Sequence, residues 1–226
     1  NLIRVHLEIQ LTLVKLTFNT MIAANKESQI NISPTEVINI LKEGNKRFIN
    51  GNETKKDFSA EVKGTSSGQY PLACILGCID SRVPAEIIFD QGIGDIFNVR
   101  IAGNFVNTDI LGSMEFACKV AGSKVILVLG HSQCGAVKGA CDGVKLGNLT
   151  SMLSNFDQVI NSNQYTEGER NSQNSEYVHL IAESNVKNTI EKIRTESPIL
   201  KEMEDNGEIK IIGGMYYVSN GTVEFY

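Results

Sequence analysis

The run KVILVL at residues 124–129 most narrows what this chain can fold into. Such a short aliphatic run, followed at once by Gly130-His131, predicts a β-strand. A second short run, Leu72–Leu76, ends at Gly77-Cys78 and has the composition of a strand buried on both faces. Strands of that kind are typical of parallel sheets covered by helices. The two runs therefore predict a sheet inside the molecule rather than on its surface.

Helical patterns separate the apolar runs. Tyr177–Arg194 has the apolar spacing of a long amphipathic helix, and a shorter helix is expected to begin at Pro84. Strands that alternate with helices predict an α/β fold, a single domain with a mainly parallel β-sheet flanked by helices. Further helices are predicted at 108–121, near Cys134 and at 150–160, further strands at 95–101 and 209–212, a hairpin turn at Asn220-Gly221, and loops at 50–69 and 161–175.

The beginning of the chain has two different parts. Ser33-Pro34-Thr35-Glu36 is a capping box with proline at the first helical position, so a helix is expected there. The first twenty residues alternate apolar and polar, which fits an extra edge strand or sequence from outside the original reading frame, with Met21 as a natural start. Glu8 and Lys15 argue against a signal peptide. We therefore treat 1–32 as an N-terminal extension and 33–226 as the domain.

Composition excludes several classes of function. The net charge is −5 and no basic run is present, so a nucleic-acid partner is not expected. No window of 18 apolar residues predicts a membrane span. Five cysteines, an odd number without a framework spacing, predict reduced thiols and a cytoplasmic protein. With three histidines spread along the chain, a site of three clustered histidine ligands is excluded.

A candidate metal site follows from the positions of three residues. Cys78 ends the first buried strand, His131 follows KVILVL, and Cys134 lies three residues further on. Ligands of parallel α/β sheets bind beyond the carboxyl ends of the strands. Two thiolates and one imidazole are preferred zinc ligands, and three protein ligands leave a fourth position open, as catalytic zinc requires. The sequence predicts one zinc ion per chain at this edge.

Three motifs resemble the β-class carbonic anhydrases. The chain has CIDSR at 78–82, RIAGN at 100–104 and HSQCG at 131–135, in the order and register of that family. The similarity runs from about Ser33 to the C-terminus. It implies a zinc-dependent lyase that hydrates CO2 to bicarbonate and a proton by zinc-bound hydroxide. It also implies a homodimer or homotetramer in which an N-terminal helical arm crosses onto the partner.

The resemblance also implies roles for individual residues. Cys78, His131 and Cys134 would hold zinc. Asp80 would orient the reacting water or accept its proton, and Arg82 would fix the Asp80 carboxylate by bidentate pairing. The Gly135 N–H and the Ala102 side chain would contact CO2.

A second pocket of some bacterial relatives, which binds inhibitory bicarbonate, is expected to be incomplete here. Arg100 and Tyr216 or Tyr217 match its arginine and tyrosine, but Ile75 takes the place of its tryptophan. An aliphatic side chain cannot replace the indole N–H donor. A different role for Arg100, binding backbone or carboxylates at a subunit contact, remains open at this stage.

Three other interpretations remain open from sequence. A CS2 or COS hydrolase of the same fold family would use the same zinc ligands and Asp80–Arg82 pair. A non-catalytic zinc-binding module would fill the fourth metal position with protein. A thiol hydrolase would use Cys134 and His131 without metal. Cys74, Cys118 and Cys141 are interpreted as ordinary packing residues.

Overall fold

A five-stranded sheet organises the chain. The computed structural model describes residues 24–226, so the strand predicted within the first twenty residues lies outside the described part. The strands are β1 Ala73–Gly77, β2 Ile96–Arg100, β3 Val125–His131, β4 Lys210–Tyr216 and β5 Val223–Phe225. Their order is β2-β1-β3-β4-β5; the first four are parallel, and only β5 is antiparallel to its neighbour. The mainly parallel α/β fold predicted from sequence is confirmed.

Helices cover both faces of this sheet. In chain order they are α1 Lys26–Asn31, α2 Pro34–Ile49, α3 Phe58–Thr65, α4 Ala85–Ile88, α5 Thr108–Glu115, α6 Gly135–Cys141, α7 Gly147–Leu153, α8 Asp157–Ser162, α9 Ser175–Glu196 and α10 Pro198–Asp205. A π-helical turn, Phe116–Val120, continues α5, and a 3-10 turn, Ser154–Phe156, joins α7 to α8. None of the helices within residues 24–226 combines the length and apolarity needed to cross a membrane.

Alternate strand residues supply the two cores. Cys74 and Leu76 of β1 pack into the core that includes α9, whereas Ala73 and Ile75 pack into the core that includes α2. All four side chains are fully buried. Because consecutive strand side chains point to opposite faces, a sheet covered on both sides needs apolar residues at every position. This requirement explains why the two apolar runs are continuous rather than alternating.

Local signals set the N-terminal helices. The Ser33 side chain and the Glu36 carboxylate form the reciprocal capping box predicted for α2. In α1, the buried Gln29 amide donates to the Pro71 and Ala121 carbonyls at 2.8 Å each. Gln29 thus attaches α1 to the segments of its own chain that lead into β1 and β3. The placing of the domain boundary at residue 33 stays a prediction.

The structure differs from several of the sequence predictions. The expected loop at 50–69 contains α3, whose one buried helical side chain, Glu61, is polar and therefore leaves no apolar stripe to detect. The helix α10, which begins at Pro198 with Ser197 as its cap, was missed because it follows α9 directly. The helix expected at 108–121 changes to the π-turn at Phe116.

Candidate metal centre

The carboxyl ends of β1 and β3 bring the predicted ligands together. The two strands are hydrogen-bonded neighbours in parallel, so they end at the same edge of the sheet. Cys78 follows β1 directly, and His131 is the last residue of β3 rather than the residue after it. Gln133 has a left-handed backbone, with φ 58°, which turns the chain so that Cys134 becomes the N-cap of α6.

The three side chains have the spacing of a metal-ligand set. One ligand atom from each of Cys78, His131 and Cys134 lies within 4.8 Å of the others, and the two Sγ atoms are 3.9 Å apart. Two sulfurs bound tetrahedrally to zinc at about 2.3 Å would be about 3.8 Å apart. All three residues are buried, with His131 0% exposed. The donor set and its spacing fit a zinc ion.

The imidazole of His131 is oriented as a ligand. Its Nδ1 lies 2.9 Å from the Ser132 carbonyl oxygen. A carbonyl only accepts, so Nδ1 carries the proton and donates, which leaves a lone pair on Nε2. Nε2 is buried without a hydrogen-bond partner among the described residues. A metal ion would satisfy this atom, and the Nδ1–carbonyl bond is the usual way of fixing a metal-binding histidine.

Hydrogen bonds act on the two sulfurs in opposite directions. A hydrogen bond joins the two sulfurs, and this bond, helped by the Gly103 N–H and opposed by burial, lowers the pKa of Cys78. The same bond with Cys78, together with burial, raises the pKa of Cys134. The pair thus shares one proton. A bound cation would replace that proton and hold both residues as thiolates.

Asp80 and Arg82 form a bidentate ion pair beside the ligands. Arg82 Nε donates to Asp80 Oδ1 at 2.9 Å, and Nη2 donates to Oδ2 at 2.8 Å. The Arg82 backbone N–H also donates to Oδ1 at 3.0 Å. These bonds, led by the guanidinium, hold the pKa of Asp80 well below its usual range. Asp80 is therefore ionised at neutral pH, and its carboxylate is not part of the three-ligand group.

Arg100 fixes the backbone that carries Cys78 and Asp80. Its Nε donates to the Cys78 carbonyl at 2.8 Å, and its Nη2 donates to the Asp80 carbonyl at 2.6 Å. The sequence left open a subunit contact for Arg100. The structure gives its guanidinium acceptors within its own chain.

The two residues predicted to contact substrate border the ligand group. Ala102 is half-buried, in the turn next to Gly103, whose N–H donates to Cys78 Sγ at 3.3 Å. Gly135 is the first residue of α6, and a Cβ added there would meet no described atom within 4 Å. First-turn N–H groups have no acceptor within their helix. Substrate contact by either residue stays a prediction.

Sequence reasoning missed the supports of the loop at residues 101–104. The fully buried helix side chains Asn185 and Thr189 donate to the carbonyls of Gly103 and Asn104 at 2.8 and 3.4 Å. A signal was present, because both polar residues interrupt the apolar face of a long amphipathic helix at a spacing of four. That spacing places them on one side of α9.

Comparison with known proteins agrees with this geometry. The sequence profile of the carbonic anhydrase family matches residues 73–223. Carbonic anhydrase 2 of Mycobacterium tuberculosis is 36% identical over 194 residues, which cover 84% of this chain and 92% of that protein. The solved β-carbonic anhydrase CcaA is 26% identical, with a TM-score of 0.66 over 84% of this chain and 87% of its own.

A further solved structure extends the similarity to an assembled enzyme. The tetrameric β-carbonic anhydrases of Sordaria macrospora include a chain that is 26% identical, with a TM-score of 0.61 over 74% of this chain and 89% of its own. The profile match covers more than half of the present chain, and the M. tuberculosis relative covers more than two thirds of it. The chain therefore belongs to the β-class carbonic anhydrase family.

Proposed function

We propose that this chain hydrates CO2 reversibly to bicarbonate and a proton, with one zinc ion per chain held by Cys78, His131 and Cys134. The observation that carries the proposal is the unpaired, buried Nε2 of His131 beside two sulfurs 3.9 Å apart. A buried polar atom without a partner is costly unless something binds it. Zinc bound there would supply a nucleophile at neutral pH by acidifying water.

Asp80 and Arg82 supply the protein's part of the chemistry. As an ionised carboxylate, Asp80 can accept a hydrogen bond from the reacting water but cannot donate one. Arg82 holds both carboxylate oxygens, so Asp80 keeps one orientation. This orientation selects the geometry in which a water lone pair faces CO2. The Arg82 side chain is 52% exposed, so this pair lies where the site meets solvent and a released proton can leave.

The substrate side of the site is assigned to Gly135 and Ala102. The open space at Gly135, beside an N–H group without a helical acceptor, suits an oxygen of CO2 or bicarbonate. Ala102 offers a small apolar surface next to Gly103, whose N–H reaches Cys78. CO2 has no hydrogen to donate, so one donor and one apolar contact are what it can use.

A metal analysis combined with two assays tests the proposal. Purified protein should contain one zinc per chain with two sulfur ligands by X-ray absorption, and it should hydrate CO2. Turnover of CS2 or COS with negligible CO2 hydration would favour the sister hydrolase instead. Bound zinc without either activity at any pH would identify a non-catalytic module. Rapid alkylation of Cys134 in the protein as purified, with no bound metal, would favour the thiol hydrolase.

The assembly and compartment complete the proposal. We infer a homodimer or homotetramer; the S. macrospora enzymes are tetrameric. Within residues 24–226, the edge strand β2 has β1 as its only strand neighbour. Phe116 and Val120, which follow the helix α5, are 48% and 72% exposed. None of the five cysteines forms a disulfide, which supports the cytoplasm. Light scattering with size-exclusion chromatography would measure the assembly, and a monomer at micromolar concentration would contradict it.

A further inference from the structure

Gly103 links the metal-ligand group to the long helix α9. Its N–H donates to Cys78 Sγ at 3.3 Å, while its own carbonyl accepts from Asn185 Nδ2 at 2.8 Å. Asn185 is 1% exposed and Gly103 is buried, so water does not compete freely for either bond. Gly103, whose N–H reaches the ligand sulfur, is therefore held at its carbonyl by a buried amide.

The conformation of Gly103 explains why the hydrogen bond from Asn185 is needed. Its φ is +82°, a conformation that residues with a side chain rarely adopt. A Cβ added there would lie 2.3 Å from Phe156 Cζ and 3.3 Å from Ala136 Cβ, so only glycine fits. Glycine is also the residue with the most backbone freedom, so packing by itself does not fix the direction of its N–H.

We infer that Asn185 is a positioning residue for the metal ligand Cys78 and acts through Gly103. The inference rests on the proposed function in so far as Cys78 binds the metal. By fixing the Gly103 carbonyl, Asn185 keeps the Gly103 N–H directed at the sulfur. A hydrogen bond to a thiolate draws electron density from the sulfur, and partners of metal ligands tune the metal in this way. No contact between Asn185 and substrate is involved.

Thr189 provides a matched control on the same helix face. It lies one turn after Asn185, is fully buried, and its hydroxyl donates to the Asn104 carbonyl at 3.4 Å. Among the hydrogen bonds of residues 24–226, none joins Asn104 to Cys78 or Cys134. Thr189→Val removes a loop hydrogen bond while keeping nearly the same shape. It therefore reports the effect of loosening the loop without the effect on the sulfur.

Cobalt-substituted protein gives a readout that is separate from activity. In Asn185→Leu, the Cys78 sulfur loses the directed N–H of Gly103, its lone pairs rise in energy, and the thiolate-to-Co²⁺ charge-transfer band should move to longer wavelength. The zinc dissociation constant should rise roughly 10-fold, the lower end of the range for such partners. Thr189→Val should keep the parent band and the parent zinc affinity, although both variants should melt at lower temperature.

An unchanged band and zinc affinity in Asn185→Leu would overturn the inference, as would equal shifts in both variants. If the leucine variant does not fold, Asn185→Ala, which leaves room for a water at the Gly103 carbonyl, replaces it with the same expected direction. Assaying CO2 hydration of the parent separately tests the proposed function. A parent that binds cobalt through sulfur but does not hydrate CO2 would overturn the proposed function and leave the spectral test of Asn185 valid.

Discussion

Two buried polar clusters of this chain differ in how completely their atoms are paired. In the first, the Asp90 carboxylate is 2% exposed and accepts from Arg47, from Lys56 and from the Thr54 N–H and hydroxyl. In the second, Cys78, His131 and Cys134 lie together with His131 Nε2 unpaired. A residue with positive φ lies in or next to each cluster, Asp90 in the first and Gln133 before Cys134 in the second.

This difference in pairing distinguishes a cluster that stabilises the fold from a cluster that can bind a ligand. Burial alone would raise the pKa of Asp90, but the bonds from Arg47 and Thr54 outweigh it and lower that pKa. Both oxygens of the Asp90 carboxylate are paired, by Arg47, Lys56 and Thr54, so it is not left as a free anion that could bind a cation. The ligand cluster keeps lone pairs aimed at a common point, which costs stability in a dry interior unless a cation is bound. The ligand cluster thus differs from the Asp90 cluster by an unpaired buried atom that lies close to two further possible metal ligands.

The largest expected effect is the loss of a ligand. Cys134→Ser should lose zinc and CO2 hydration together and should lower the unfolding midpoint, because metal binding stabilises the folded chain. Elemental analysis and thermal melts would measure both. Cys141→Ser, at the other end of α6, is the control and should keep metal and activity. A Cys134→Ser protein with full zinc content would contradict the assigned ligand set.

A smaller effect is expected at the ion pair beside the ligands. Asp80→Ala should keep zinc yet lower kcat by roughly 10²–10⁴-fold, the range for general acid–base assistance. Arg82→Ala should act in the same direction through a misplaced Asp80.

A second bidentate arginine–carboxylate pair, outside the metal site, provides the matched control for Asp80–Arg82. Arg194 holds the Glu204 carboxylate with bonds of 2.8 and 2.9 Å. Glu204→Gln should leave kcat unchanged. Parent-like rates in Asp80→Ala would reduce the Asp80–Arg82 pair to a structural role.

A substitution in the fully paired Asp90 cluster should lower the stability of the fold without changing the rate of CO2 hydration. Asp90→Asn should lower the free energy of unfolding by about 2 kcal/mol, less than a fully buried pair because Arg47 and Lys56 reach solvent. Urea denaturation would measure this change. Asp205→Asn, in an exposed i,i+4 pair with Lys201, should cost about 0.5 kcal/mol at most.

The effect of Asp90→Asn should also depend on pH. Since the folded-state pKa of Asp90 is lowered, its stabilisation is present above the unfolded-state pKa of about 3.9 and is lost as pH falls through the folded-state value. The gap between parent and variant should therefore narrow below about pH 4. If the difference in unfolding free energy between parent and variant stays constant in acid, the charge of Asp90 does not contribute to stability. A lower kcat in Asp90→Asn would contradict the distinction between the two clusters.

The smallest expected effect concerns bicarbonate. Arg100 already donates to two carbonyls, and the buried Ile75 brings no donor, so a second anion pocket should not form. Bicarbonate should inhibit CO2 hydration only as a product, without cooperativity. Initial rates across a bicarbonate series near neutral pH would measure this. A sigmoidal inhibition curve would show that a donor group is still available there.

The sequence determined the elements whose physics is local. Two buried strands were predicted correctly, from KVILVL and from Leu72–Leu76. A parallel strand covered on both faces needs an apolar residue at each position, and both runs meet that requirement. The capping box at Ser33 marked the start of α2 because its bonds join residues three apart. The three predicted ligand residues could be singled out because metal chemistry restricts residue type and because all three lie at or shortly after the end of β1 or β3.

Only the tertiary structure decided the interactions between distant segments. The bonds from Arg100 to Cys78 and Asp80 span about twenty residues, and those from Asn185 and Thr189 to the loop at 101–104 span more than eighty. The polar helix α3 could not be predicted for the same reason. Its buried Glu61 carboxylate accepts a hydrogen bond from the backbone N–H of Ile93, a residue in a distant segment. Such pairs leave no periodic pattern in the chain. Their geometry exists only when the sheet has brought the segments together and water is excluded from between them.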